Sequence, residues 1–250
     1  MQHRTYVAAK VRDDARVRVV SAQIGVLDGP NGMWEGDLAD LSTASGMGWV
    51  SHVTGVLWNL AERGFESRGM DIAIDSCVPA GAGMGSSAAL QCAVALAVSD
   101  CWELLLDSPE GRVELAEAAI GAETRHVGVP TGGLDQHCIM QCAPGEAALL
   151  DFATQPPAFT HQPLYFPNYG RCLLVIDTGT PHDLRSSEYA QRRQSCEQAA
   201  EALGAANLRE VFENPYGLRQ VNQLAGAPRG DRTASCPASH CRTQWNRTSA

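Results

Sequence analysis

"PAGAGMGSSAAL", residues Pro79 to Leu90, is the stretch whose reading decides the fold. Gly81, Gly83 and Gly85 alternate with Ala82 and Met84, Ser86 and Ser87 follow at once, and a run of small apolar residues begins at Ala88. Upstream, "MDIAIDSCV" (70–78) reads as a strand. Downstream, "SSAALQCAVALAVSDCWELLL" (86–106) reads as a buried helix, apolar on nearly every face. Strand, glycine-rich turn and helix start together make an anion site. Glycines let backbone N–H groups converge, and a helix N-terminus adds roughly half a positive charge. Two stock nucleotide loops are excluded by residue identity. A P-loop needs lysine after its last glycine, where Ser86 stands. The dinucleotide fingerprint needs G-x-G-x-x-G, the spacing here is G-x-G-x-G, and Asp100 closes the same helix instead of a second strand. A serine at such a helix start can place its hydroxyl on Mg²⁺. The plain structural alternative is a tight turn capped by serine.

Working outward, "RVRVVSAQ" (16–23) is strand-like. "GWVSHVTGVLWNLAERGF" (48–65) has helical spacing through Val50, Val53, Val56, Leu57 and Leu60, with Gly64 suited to its end. "SPEGRVELAEAAIGAETRHVG" (108–128) predicts a helix with Ser108 as N-cap, Pro109 in the first position and Gly128 at the stop. "AALLDF" (147–152) and "RCLLVIDTGT" (171–180) read as strands, and "SSEYAQRRQSCEQAAEALG" (186–204) as an amphipathic helix ending at Gly204. Strands and helices mix without strict alternation, which predicts an α+β fold. The Pro-rich "ATQPPAFTHQPLYFPNYG" (153–170) is expected to join two lobes near residue 160. Residues 227–250 hold no Val, Ile, Leu, Met or Phe and four arginines against one acid, and are expected to form a disordered or aberrant tail.

The bulk numbers narrow the class. The chain has 250 residues, 44% of them hydrophobic, and a formal net charge of −9. That is room for one large domain or two lobes, and the wrong charge for a non-specific nucleic-acid binder. No apolar run reaches the roughly 18 residues of a membrane span, and "MQHRTYVAAKVRDD" has no secretory h-region. The nine cysteines are odd in number and irregular in spacing. They read as free thiols of a reducing cytoplasm. A metal site at His137, Cys138 and Cys142, or at Cys236, His240 and Cys241, is the weaker reading of the same residues.

Three blocks in order carry a resemblance. "PAGAGMGSSAAL" resembles the ATP loop of the GHMP kinases. "AETRHVGVPTGGLDQHCIMQCAPGEAALLDF" (122–152) and "SSEYAQRRQSCEQAAEALG" resemble, within that superfamily, the galactokinases. The likeness runs over about residues 4–212. It implies a two-lobed fold: a ribosomal-S5-like ATP lobe over 1–160 and an incomplete ferredoxin-like lobe over 161–226. It implies that Gly81, Ala82, Gly83, Met84, Gly85, Ser86 and Ser87 hold ATP, and that Ser87 and Glu123 hold Mg²⁺. Asp135 would be the catalytic base and touch the sugar, and Tyr189 would contact the sugar. Taken singly, each has a plainer role: Asp135 as a first-turn helix acid, Glu123 as a solvated helix face, Tyr189 as the edge of an amphipathic helix.

The family's segment bearing a phosphoryl-stabilising arginine and a sugar-gripping acid and histidine has no counterpart in the sequence. Neither does its C-terminal glycine-rich loop. The resemblance therefore implies a galactokinase core lacking both end motifs. The implied reaction is Mg-ATP-dependent phosphorylation of galactose by a cytoplasmic monomer, with no nucleic-acid or membrane partner. Another small-molecule kinase of the superfamily, or a non-catalytic sugar-responsive binding protein, is the alternative.

Overall fold

The computed structural model describes residues 3–23, 33–42, 48–154, 156–176 and 187–213, together with 217 and 221. The tail after residue 226, and Ser186, lie outside them. The chain divides into two compact units: Met1–Leu150 with Phe159–Leu184, and Asp151–Ala158 with Arg185–Ala250.

The first unit is built on a mixed four-stranded sheet of β1 (Thr5–Val11), β2 (Arg16–Ser21), β3 (Met33–Asp37) and β4 (Met70–Ser76), ordered β1-β4-β2-β3. β4 runs antiparallel to β1 and parallel to β2, with Ile72 opposite Val19. The period-2 pattern sends Val17, Val19, Met70, Ile72 and Ile74 to one face, where they are buried. α1 (Ser51–Glu62) lays Val53, Val56, Leu57 and Leu60 into the same core. α2 (Ser86–Cys101) adds Cys92, Val94, Ala95 and Val98, and α3 (Pro109–Gly121) adds Leu115, Ala116, Ala118 and Ala119. Four buried Val, Leu or Ile side chains on α1 alone contribute on the order of 6–12 kcal/mol of transfer free energy.

Ser108 caps α3 as its sequence predicts, its hydroxyl accepting from Gly111 N–H at 3.1 Å, with Pro109 in the first turn. Several expectations need correction. The helix from Ser86 stops at Cys101, not Leu106, because the backbone turns left-handed at Glu103 (φ 57°) and Leu105 (φ 58°). The Pro-rich stretch contains a strand: β6 (Ala158–Pro163) pairs with β5 (Glu146–Asp151). Arg171–Ile176, expected as a strand, joins no sheet among the described residues, and 177–180 lie outside them. β3, "MWEGD", escapes the sequence because one glycine and two acids in five residues hide its alternation.

In the second unit, α5 (Ser187–Ala202) and α6 (Leu208–Glu213) are the described helices. Gly204, at φ 68°, follows the end of α5 as its sequence predicts. No described helix is long and apolar enough to cross a membrane.

Candidate active site

β4 delivers the chain to the glycine loop from a fixed point. At its end Ser76 Oγ meets Thr5 Oγ1 at 2.8 Å and accepts from Val78 N–H, while Cys77 N–H donates to Arg4 C=O at 3.0 Å. Gly81, Gly83 and Gly85 then all take left-handed backbone angles, φ 74°, 68° and 67°. Alternating left-handed residues turn successive N–H groups toward one side, the geometry of an anion nest. Gly81 and Gly83 are exposed, and Ala82, Met84, Gly85, Ser86 and Ser87 are half-buried. Gly85 is the cap of α2, whose first turn carries no acidic residue to oppose an anion.

Ser87 lies one residue into α2. Its hydroxyl donates to Glu123 Oε1 at 2.9 Å. Glu123 is 36 positions away in sequence and buried, in a single wide helical turn, Ala122–Val127, that continues α3 with i→i+5 geometry. Such π turns rotate a side chain out of the register of the preceding helix, and they are frequent at functional sites. Gly128, at φ 79°, ends the turn. Burial pushes the Glu123 carboxyl above the ordinary carboxylate range and nearby Asp135 adds to this, while hydrogen bonds from Ser87 and Gln136 pull the other way.

Asp135 opens α4 (Leu134–Gln141), exposed, with Gly133 (φ 80°) before it. A methyl group placed on Gly85 would sit 3.0 Å from Asp135 Oδ2, so the carboxylate lies directly against the loop at the start of α2. Two helix N-termini and the π turn thus bring the glycine loop, Ser87, Glu123 and Asp135 to one place. Of the plainer readings, Asp135 is a first-turn acid of α4 and also abuts Gly85, whereas Glu123 is buried and not on a solvated face. Tyr189 is in α5, and its side chain lies outside the described residues.

The donor set suits Mg²⁺. One hydroxyl and one carboxylate are hard oxygens, few enough to leave the remaining positions to phosphates and water. No group of three or more His, Cys, Asp or Glu able to hold a metal occurs among the described residues, and the thiols of Cys138 and Cys142 are free. Burial pushes the Cys138 thiol up to about 11, away from the thiolate a soft metal needs.

Sequence reasoning missed the support beneath Glu123. Gln136 Nε2 donates to Glu123 Oε2 at 2.5 Å and to Gln91 Oε1 at 3.3 Å, and Gln91 Nε2 lies 3.0 Å from His52 Nδ1. Gln91 and Gln136 are fully buried. The available signal was Gln91 itself, a polar residue inside the apolar run "LQCAVALAV".

Known proteins resemble the chain over these same elements. Residues 51–142, from α1 through α4, match the family described as GHMP kinases N terminal domain. A galactokinase of Streptomyces coelicolor is 37% identical over 216 residues, 86% of this chain and 52% of that protein. A galactokinase of Chloroflexus aurantiacus is 38% identical over 202 residues, 81% of this chain and 48% of that protein. The chain thus spans about half the length of the curated relatives it matches. Among solved structures, Lactococcus lactis galactokinase complexed with galactose shares the fold, with a TM-score of 0.71 over 87% of this chain and 56% of that one, at 24% identity. The matched GHMP kinases N terminal domain spans every element that builds the site, and over most of its own length the chain is similar to galactokinases.

Proposed function

We propose that the chain is the catalytic core of a galactokinase, transferring the γ-phosphoryl group of ATP to the anomeric hydroxyl of galactose. The observation that carries this reading is the meeting of the glycine loop with three oxygen-bearing side chains. Ser87 and Glu123 lie 2.9 Å apart, and the Asp135 carboxylate lies against Gly85. In this reading Gly81–Ser87 and the α2 N-terminus hold the ATP phosphates. Ser87 and Glu123 hold Mg²⁺, which when bound neutralises charge on the phosphate oxygens. Asp135 accepts the proton of the galactose O1 hydroxyl as the new O1–P bond forms. The bond from the γ-phosphorus to the β–γ bridging oxygen breaks, and ADP leaves with that oxygen. Tyr189, on α5, is proposed to contact the sugar. We place residues 1–160 in the ATP lobe, 161–226 in a partial second lobe and 227–250 in a tail. The protein is proposed to act as a cytoplasmic monomer without nucleic-acid or membrane partners.

The test is transfer from Mg-ATP to galactose followed by phosphorus NMR. Asp135→Ala should lower the rate by about 10²–10⁴ while the affinity for Mg-ATP holds, the usual weight of a general base. Unchanged turnover in Asp135→Ala would move the base elsewhere. Galactose binding without any phosphoryl transfer in the parent chain would favour a sugar-responsive binding protein.

A further inference from the structure

We infer that Gln136 and Gln91 form a directional positioning chain that aims Glu123 at the cation, and that its sense runs through to the ring of His52. The inference rests on the proposed Mg-ATP site.

The direction follows from donor and acceptor chemistry. A carboxylate only accepts, so the Gln136 atom beside Glu123 Oε2 is the amide nitrogen. That nitrogen's second partner on Gln91 must then be the oxygen, at 3.3 Å. The nitrogen of Gln91 is thereby turned to His52 Nδ1, at 3.0 Å, and makes it an acceptor, which leaves the ring proton on Nε2. Each link draws on a different element: the π turn for Glu123, α4 for Gln136, α2 for Gln91 and α1 for His52. The chain therefore ties the carboxylate to three helices, and leaves Oε1, the oxygen facing Ser87, as the one turned toward the glycine loop.

Gln136 also carries the mark of a residue kept for its donors. It is fully buried, and its own Oε1 has no hydrogen-bond partner. An orphaned buried carbonyl costs stability, so an apolar side chain of the same length would remove one cost at this position. The amide nitrogen supplies something an apolar side chain cannot: a fixed donor on the carboxylate oxygen away from the loop. Groups that orient a metal-holding side chain in this way change metal affinity by about 10–100-fold when lost.

Three measurements test the chain as it stands. Calorimetry with Mg-ATP, and with ATP in EDTA, separates metal-dependent from metal-free binding. Gln136→Met should weaken Mg-ATP about 10–100-fold and leave metal-free ATP unchanged. Gln91→Met, one link further out, should weaken it in the same direction by less, and it carries the test should Gln136→Met fail to fold. Nitrogen-15 NMR of the imidazoles should show His52 in the parent chain as one tautomer, with the proton on Nε2 and Nδ1 accepting from Gln91. Glu123→Gln isolates the underlying reading: if it leaves Mg-ATP affinity intact, Glu123 is not a ligand and the proposed site fails. If Glu123→Gln weakens Mg-ATP while both glutamine variants bind it normally, or if His52 carries its proton on Nδ1, the positioning chain alone is overturned.

Discussion

Gly85 and Asp135 constrain each other, and a pair of alanine variants separates the two reasons glycine is needed in the loop. At Gly83 an added Cβ meets nothing within 4 Å, so alanine meets only the cost of a left-handed backbone, about 1–2 kcal/mol. At Gly85 the same cost is joined by a contact of 3.0 Å with Asp135 Oδ2. Both variants should therefore lose similar thermal stability and both disturb the proposed phosphate loop, but Gly85→Ala should lower kcat at saturating Mg-ATP further than Gly83→Ala, because it also moves the proposed base. Equal kcat in the two variants would mean that Asp135 yields without consequence. Glu123 gives a pH dependence. Its carboxyl is held above the ordinary range chiefly by burial, so the folded chain retains this proton to higher pH than an unfolded one. The sign is that of a raised acid: stability from this group is fully present below the unfolded value and is lost as pH rises through the folded one. Cation binding needs the ionised form. Mg-ATP affinity should therefore begin to fall, as pH is lowered, before the ordinary carboxylate range is reached, while metal-free ATP binding shows no such early fall. Calorimetry at a series of pH values checks this, and an affinity that stays flat down to the ordinary range would remove Glu123 from the metal.

At the scale of elements, what the sequence disclosed was whatever depends on local rules. Ser108, Pro109 and Gly128 bracket α3 and its π turn because capping and left-handed stops are set by single residues. Removing the cap should show this independence: Ser108→Ala should cost about 1 kcal/mol of stability, read as a lower melting temperature, with nucleotide affinity unchanged. A matching loss of Mg-ATP affinity would instead tie the α3 start to the site. The loop and Asp135 were legible through their motifs, "GAGMGSS" and "GGLDQ". The contact between Ser87 and Glu123 was not derivable from spacing, since they are 36 positions apart and Glu123 sits in a π turn, which has no periodicity to read. The glutamine chain was hidden for the same reason: each of its links crosses between elements. β6 was missed because two prolines precede it, and the end of α2 because Trp102–Leu106 continues an apolar pattern while the backbone leaves the helix at Glu103.

At the scale of the whole molecule, the apolar surface is unevenly covered. One face of the four-stranded sheet is buried under α1 and α2, but Leu173, Leu174, Val175 and Ile176 are 57%, 76%, 47% and 73% exposed in consecutive positions. Their sequence is that of a buried strand, and the described residues supply it no sheet partner. An exposed run of β-prone apolar residues is a template for pairing with another chain. The chain, proposed to be monomeric when dilute, should therefore self-associate as its concentration rises. The double variant Leu174→Lys/Ile176→Lys should suppress that association, because charge at a strand edge opposes intermolecular pairing. Both side chains are mostly solvent-exposed, so the melting temperature should not drop. Light scattering across a concentration series, with a thermal melt on each sample, reads both quantities. Association that persists unchanged in the double variant would place the sticky surface elsewhere, for example on the exposed outer face of the sheet around Tyr6, Val20 and Met33. A large fall in melting temperature would show that the segment is buried in solution and that its exposure here is not what drives association.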